Sequence, residues 1–500
     1  MNVEKKVIAV DLGASSGRLT SGVFDGEKIT LKEQFRFTNL PVRVADDLYW
    51  DHMRILQSIK EGLNAANRDL AHIDSLSVDT WGVDYGLIDQ HHQLLMAPHS
   101  YRDSRVDQYV AEFYQRIAPF ELFQLTGNQP ANINSILQLF ADLQIRPYLQ
   151  AEIKHVLFMP SLIEYLLSGK LKNEFTISSS SGLLDTHTRE FSAPVLKRLG
   201  FKPEWFGSLA KGGQVLGNIR PEIASEMHLL DSIRVVAGAG HDTAAALLAL
   251  PLDASQRASS AFISCGTWSI VGRQTSAPIV TRAAYEAGLT NEGCFKGGNR
   301  ILKNITGLWI LQELQREWAY QGDKIGFGEM VELAAKADAS VSYIDVNASV
   351  FSQPTLMEEK IISALKATHQ ALPKSRAELI RLVIESLAFA YRQVIEELEA
   401  VAATPIRRIN MFGGGIQNQL LLQLTADFSE REVVAGPVEA SVLGNVVSQL
   451  QANQWLDDES VATVLQNSYK KHLIQPKHSD NLNQRYLNYQ KIIRENLTIK

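Results

Sequence analysis

One order of elements occurs twice along this 500-residue chain, and it narrows the possible folds more than any single motif does. In the first half, residues 7–11 (VIAVD) read as an apolar strand ending on an aspartate, 12–18 (LGASSGR) as a glycine and serine turn, and 19–24 as a return strand. A turn at Asp25 and Gly26 leads to an alternating strand over 29–37. A helix over 50–70 follows, with Met53, Ile55, Leu56, Ile59 and Leu63 near the helical period, then a strand over 73–78 that runs into DTWGVDYG at 79–86. In the second half, 261–263 is a strand, CGTWS at 265–269 a turn, 270–273 a return strand, 376–400 a long helix, and 406–412 a strand entering the glycine turn 413–415. Each half closes on strand, turn and helix: 233–237 with 244–250, and 432–435 with 439–450. This is not the simple βαβα alternation of a parallel sheet. The repeated order, with negligible identity between the halves, predicts two related α/β domains facing one another across a cleft.

The expected division is 1–250 for the first domain, 251–457 for the second, and a tail over 458–500 with a packing helix. The boundary falls in the polar connector 251–257. A net charge of −6 with no basic run argues against nucleic acid or an anionic membrane as the main partner. The N-terminus leads straight into a strand, without a secretory segment, and no apolar run is long enough to span a bilayer. With only Cys265 and Cys294 there is no disulfide framework, which points to a reducing, cytoplasmic compartment. Neither cysteine belongs to a Cys/His ligand cluster, so a structural zinc site is not expected.

The stretch VVAGAGHDTAAALLAL (235–250) carries the most chemistry. Gly238, Gly240 and Ala244 imitate a dinucleotide fingerprint, but Asp242 would face the pyrophosphate, and the next strand lacks an acidic end for a ribose. Asp242 reads either as a cap of its own helix or as a carboxylate accepting a proton from a substrate hydroxyl. The turn after Asp11 offers backbone N–H groups and the Ser15 and Ser16 hydroxyls to a triphosphate, with Arg18 as a nearby cation and Asp11 as a ligand for magnesium through water. The alternative is a plain hairpin. CGTWS stands at the equivalent place in the second half. Gly413–Gly415 would let a flat base or ribose approach the backbone, or would simply make a strand-to-helix turn. Asp79, Trp81 and Asp84 suit a polyol cleft, against the alternative of a core tryptophan. The serine run 178–181 reads as a flexible loop or a set of helix caps.

Taken together, AVDLGASSGR (9–18), DTWGVDYG (79–86), YRDSR (101–105), GHDTA (240–244), GTWS (266–269), NEG and LKNITGLWILQ within 291–312, FGGGIQN (412–418) and AGPVEASVLGN (435–445) resemble the FGGY family of carbohydrate kinases. That family lies within the actin/Hsp70/hexokinase superfamily, and the strings run in family order. The resemblance implies two actin-like (ribonuclease H-like) domains with sugar bound mainly on the first and ATP on the second. It implies transfer of the γ-phosphoryl of ATP, with Mg²⁺, to the C1 hydroxyl of a ketose in the cytoplasm. L-rhamnulose is expected first, with L-fuculose or a xylulose as alternatives; a non-kinase ATPase of the superfamily is a further one. Asp242 would accept the proton. Gly82, His241, Asp242, Thr243 and Asn304 would line the sugar. Ala14, Ser15, Ser16, Gly17, Arg18, Thr267, Gln312 and Gly414 would hold ATP, and Asp11 would position the metal. The expected assembly is a monomer or homodimer. Cys265 stands where the family commonly has serine, which would matter for oxidation if the thiol were exposed.

Overall fold

The computed structural model describes residues 4–230, 232–478 and 481–498. It divides into two compact units that are discontinuous in sequence: residues 1–252, 275–301 and 440–469 in one, and 253–274, 302–439 and 470–500 in the other. The spatial grouping therefore differs from a division at residue 250. Residues 275–301 and 440–469 return to the first unit, and the tail is shared between the two.

In the first unit, β1 (Lys5–Leu12), β2 (Ser16–Phe24), β3 (Ile29–Thr38), β4 (Ser75–Thr80), β5 (Gln214–Asn218) and β6 (Arg234–Ala237) form one sheet in the order β5-β6-β4-β1-β2-β3. The hairpin pairs are antiparallel, whereas β1, β4 and β6 run parallel. β1 carries an unbroken apolar run over Val7–Val10 because both its faces are covered there. Ile8, Val10 and Leu12 join the core of Ile55, Ile59 and Leu63, and the alternate residues Val7 and Ala9 are just as buried. The helix His52–Leu70 starts where the Asp51 carboxylate accepts the Arg54 N–H at 3.1 Å, and buries Ile55, Ile59, Leu63, Ala66 and Leu70. Each buried isoleucine or leucine among them contributes on the order of 2 kcal/mol. Met53, counted in the apolar stripe from spacing, instead points to solvent at 73% exposure. A second core of the same unit gathers Tyr85, Phe113, Phe140, Phe158 and Trp205.

The second unit repeats the plan. Here β7 (Ser260–Cys265), β8 (Ser269–Thr275), β9 (Asn299–Ile305), β10 (Arg408–Phe412), β11 (Glu432–Ala435) and β12 (His472–Ile474) follow the order β9-β8-β7-β10-β11-β12. The β7–β8 hairpin is antiparallel, β7, β10 and β11 are parallel, and the edge strand is antiparallel again. The shared element order read from the sequence is thus a shared topology. The long helix Arg376–Ala402 begins at Ser375, whose Oγ accepts the Glu378 N–H at 3.2 Å; the Glu378 carboxylate turns to the Lys374 N–H, so only half of a capping box forms. The C-terminal helix Leu482–Thr498 lays Tyr486 and Tyr489 on Phe389 with ring centroids 5.6 and 5.4 Å apart. The connector after residue 251 is itself a short helix, Ala254–Ala258, capped by Asp253.

Back in the first unit, the helix Ala440–Ala452 crosses the helix Asp242–Leu248 at Gly444, where a Cβ would run into the carbonyl of Ala245. A methyl group aimed at rigid backbone costs up to about 3 kcal/mol, against about 1 kcal/mol recovered from helix propensity. Gly444→Ala is therefore expected to destabilise the protein by about 2 kcal/mol, read as a lower midpoint in urea unfolding followed by circular dichroism.

Candidate active site

Parallel strands in an open sheet present a crevice at their carboxyl ends, and the carboxylates of the first unit gather there. Asp11 on β1 and Asp79 on β4 are register partners, and Asp242 follows β6. Each meets a different environment. Asp11 Oδ2 receives Arg18 Nη2 at 2.7 Å, Arg18 Nε at 3.0 Å and Ser441 Oγ at 2.9 Å. The turn between them is closed by the Gly13 N–H donating to the Ser16 carbonyl and by Asn39 Nδ2 donating to that of Gly13. This leaves Ser15 exposed, Ala14, Ser16 and Arg18 half-buried, and Gly17 buried. Asp79 is fully buried. Its Oδ2 accepts from Asn445 Nδ2 at 2.7 Å and its Oδ1 has no partner. Burial, then the neighbouring Asp11 and Asp242 carboxylates, push Asp79 well above the usual carboxylate range.

Asp242 does not cap its helix in the expected way. His241 occupies the N-cap position and Asp242 is the first helical residue. Its Oδ1 accepts the Thr243 N–H at 2.5 Å and the Thr243 hydroxyl at 3.1 Å, and lies 2.8 Å from His241 Nδ1. All three contacts fall on Oδ1, and Oδ2 has a part in none of them. Burial acts to raise this carboxyl, but the His241 hydrogen bond and charge and the two Thr243 bonds outweigh it, so it is held below the usual carboxylate range. The side chain still keeps 40% exposure. Beside it, a Cβ on Gly82 would lie 3.3 Å from both His241 Nε2 and Ser180 Oγ.

Gly82, His241, Asp242 and Thr243 thus come together in the first unit. Asn304 lies on β9 in the second unit, exposed. Two members of the cluster carry little sequence signal. Ser180 belongs to the serine run, which is no flexible loop: all four side chains are buried, and each hydroxyl donates to a carbonyl within the helix Phe175–Ser178 or just before it. Glu292 lies 3.7 Å from His241 Nε2 and is held at 2.5 Å by the buried Arg300. A serine run and a glutamate inside a strand have too many structural explanations to be singled out by pattern.

The DTWGVD segment resolves towards the core. Trp81 is 6% exposed, and Asp84 is a buried hub accepting from Trp50 Nε1, Trp81 Nε1, Gln138 Nε2 and the Tyr101 N–H at 2.7, 2.8, 3.0 and 3.2 Å. Burial raises Asp84 to about 6, with the Gln138 and tryptophan bonds holding it down. Asp84 therefore shapes the loop that carries Gly82 and is not available to a sugar. Of the YRDSR arginines, Arg105 joins this buried network through Gln138 and Asp142, whereas Arg102 leans on the Tyr101 ring at the surface.

In the second unit the turns after β7 and β10 lie against each other. Gly413 has φ +89°, a conformation that favours glycine, and a Cβ there would come within 2.9 Å of the Cys265 carbonyl. Gly415 packs on the Cys265 Sγ, while a Cβ at Gly414 would meet nothing within 4 Å. The Trp309 N–H donates to the Thr267 carbonyl at 3.1 Å and so fixes the start of the helix Trp309–Tyr320, which carries Gln312. Thr267, Gln312 and Gly414 are thereby linked around one set of turns. Among the described residues no group of three or more His, Cys, Asp or Glu side chains is arranged to hold a metal ion, and no helix is long and apolar enough to cross a membrane.

The FGGY family model for the N-terminal domain of carbohydrate kinases matches residues 6–249, and that for the C-terminal domain matches residues 261–452. The chain belongs to the FGGY family of carbohydrate kinases. Its curated relatives include a rhamnulokinase of Bacteroides thetaiotaomicron, 36% identical over 89% of this chain and 90% of that one, and one of Oceanobacillus iheyensis, 34% identical over 92% and 96%. Among solved structures, the ligand-bound xylulose kinase of Lactobacillus acidophilus superposes with a TM-score of 0.81 at 15% identity, covering 99% of this chain and 97% of the other. Glycerol kinase of Plasmodium falciparum with ADP gives 0.79 at 14%, covering 98% of each chain. The fold is therefore that of the two-domain sugar kinases, and this FGGY member is an ATP-dependent carbohydrate kinase.

Cys265 is buried against Tyr391 and Ser269, and burial pushes its thiol up to about 11. The oxidation sensitivity expected of an exposed thiol therefore does not apply. In a Cys294→Ala background, Cys265 should react with a thiol reagent at neutral pH roughly a hundredfold more slowly in the native kinase than in denaturant, followed by absorbance of the released thiolate.

Proposed function

We propose that this kinase phosphorylates the C1 hydroxyl of L-rhamnulose in the cytoplasm, giving L-rhamnulose 1-phosphate and ADP in L-rhamnose catabolism. The observation that carries the choice of sugar is the identity of more than a third to a protein named rhamnulokinase, over nine-tenths of both chains. The chemistry is supported by Asp242, whose Oδ1 is occupied by His241 and Thr243 while Oδ2 takes no part in those contacts.

Gly82, His241 and Thr243 of the first unit hold the sugar with its C1 hydroxyl at Asp242 Oδ2. As the C1 oxygen attacks the γ-phosphorus of ATP, its proton passes to Oδ2, and the bond from that phosphorus to the β,γ-bridging oxygen breaks to release ADP. A carboxylate of low basicity takes the proton late, once the attacking oxygen has become acidic. The backbone and side chains of Ala14, Ser15, Ser16, Gly17 and Arg18, with Thr267, Gln312 and Gly414, bind ATP. Asp11 is the candidate ligand for Mg²⁺, and the unpartnered Oδ1 of its register partner Asp79 supports a cation there, since this ion is usually held by one or two carboxylates together with phosphates and water. When bound, the ion supplies charge neutralisation on the phosphates. His241, through Nδ1, and Thr243 hold the Asp242 carboxylate still, so that little reorganisation accompanies the transfer.

Two outcomes are expected. Asp242→Asn lowers kcat by roughly 10²- to 10⁴-fold with the KM for ATP near its wild-type value. Because the Asp242 carboxyl is held below the usual carboxylate range by His241 and Thr243, it is ionised around neutral pH. It should add no acid limb to kcat/KM above about pH 5, and activity dependent on it falls only as pH drops through its lowered value. Substrate choice is decided by ADP release measured with L-rhamnulose, L-fuculose, D- and L-xylulose and glycerol. Fastest turnover on a sugar other than L-rhamnulose would replace the assignment, and ADP release independent of any ketose would mean a different ATPase.

A further inference from the structure

The segment joining β6 to the helix Asp242–Leu248 has no regular structure of its own, yet each of its amides is held. The Gly240 N–H donates to Glu174 Oε2 at 3.1 Å, and the Gly240 carbonyl accepts the Thr80 N–H at 2.9 Å. The His241 N–H donates to Thr176 Oγ1 at 3.1 Å, and the Thr176 hydroxyl donates in turn to the same Glu174 Oε2 at 2.7 Å. Glu174 and Thr176 are 1% and 0% exposed, and a Cβ at residue 240 would stand only 2.9 Å from Glu174 Oε2. We propose that Glu174 and Thr176 are positioning residues of the transfer reaction: they fix the N–H groups of the two residues immediately before Asp242 and so aim its carboxylate. This rests on the reading of Asp242 as proton acceptor.

A simpler role exists for Glu174, since it also caps its own short helix through the Ile177 N–H at 3.0 Å. That role needs neither Gly240 nor Thr176. A cap could also be exposed, whereas burying a carboxyl whose Oε1 has no partner costs free energy that an apolar residue would not. What an apolar residue cannot do is accept three hydrogen bonds at one oxygen. Net charge is not the useful property: Glu164 is equally buried, with neither oxygen partnered, and is pushed upward by burial and by Glu174, so two charges side by side are disfavoured. The work falls to the acceptor geometry of Oε2, which an amide oxygen reproduces.

The test is steady-state kinetics of the full-length kinase with L-rhamnulose and ATP. Glu174→Gln keeps an acceptor at the Oε2 position and should stay within about threefold of wild-type kcat. Glu174→Leu, of similar volume without an acceptor, should lower kcat about 10- to 100-fold, the scale of a small misplacement at the reacting centre, without raising the KM for ATP. Thr176→Val, which removes one hydroxyl, should lower kcat about tenfold in a protein of near-normal stability, and it decides the matter if the leucine variant does not fold. Wild-type turnover in a folded Thr176→Val or Glu174→Leu overturns the inference, as does a Glu174→Gln as impaired as Glu174→Leu. Asp242→Asn in the same assay separates the two ideas. If that variant is inactive while the other two are normal, only the positioning role fails; if it is fully active, the proton-acceptor reading fails and takes this inference with it.

Discussion

The first unit depends on one helix being able to approach the carboxyl ends of its parallel strands while carrying polar side chains inward. The helix Ala440–Ala452 does so through Asn445, Ser448 and Gln449, all fully buried. Gln449 donates to the Ile8 carbonyl at 2.9 Å and accepts from Ser75 Oγ at 2.7 Å, Asn445 donates to Asp79, and just outside the core Ser441 donates to Asp11. Leaving any one of these buried groups without a partner would cost on the order of 1–3 kcal/mol. The helix is consequently locked in both rotation and height against β1 and β4. The close crossing at Gly444 then sets the height of the helix Asp242–Leu248 as well. Two of the three carboxylates each receive one bond from this helix, and the third sits at the start of the one it crosses.

A similar economy holds the loop that carries Gly82. Val83 adopts φ +70°, an unfavourable conformation for a β-branched residue, and its carbonyl is held by Ser135 Oγ at 2.5 Å and Gln138 Nε2 at 3.2 Å. Gln138 also reaches Asp84, and its own oxygen accepts from Arg105, whose guanidinium is paired with Asp142 at 2.8 Å. Tyr85 closes the chain by donating to Asp142 at 2.6 Å. Buried ion pairs of this kind add little net stability, because desolvation offsets their attraction. Their effect here is directional: they fix a strained turn so that Gly82 presents its bare backbone towards His241 and Ser180.

Much of the fold was legible because apolar periodicity and turn chemistry are local signals. The two hairpins, the helix after Asp51, the long helix after Ser375 and the glycine turn at 413–415 all stand where their residues place them, within a few positions. What local signals cannot carry is how a chain returns. Nothing in residues 440–469 says that they pack with the first sheet, because the relevant property is a polar face on a helix, which by pattern alone reads as solvent-exposed. The same blindness applies to Asp84 and Trp81: a tryptophan between two aspartates suits a sugar cleft until four buried donors are seen to converge on one carboxylate. It applies again to the serine run, whose hydroxyls are satisfied by carbonyls three and four residues back, and to Met53, where spacing alone could not tell the buried stripe from its edge.

The three aspartates at the strand ends show how one residue type divides its labour by surroundings. Arg18 lies directly on Asp11, so that carboxylate is matched with a cation. Asp79, one strand away, is wholly enclosed and is driven towards its neutral form by burial first and then by the carboxylates of Asp11 and Asp242. Two carboxylates 4 Å apart at an effective dielectric of 20 would repel by about 4 kcal/mol, which is the sense in which its neighbours add to the upward shift of Asp79. Asp242 reaches the opposite outcome because its acceptor is filled by an imidazole and two groups of Thr243. Groups whose environments drive their protonation apart are what an acid–base site requires. Here the separation between Asp79 and Asp242 follows from what each one meets: a buried site beside other carboxylates, or an imidazole and the opening turn of a helix.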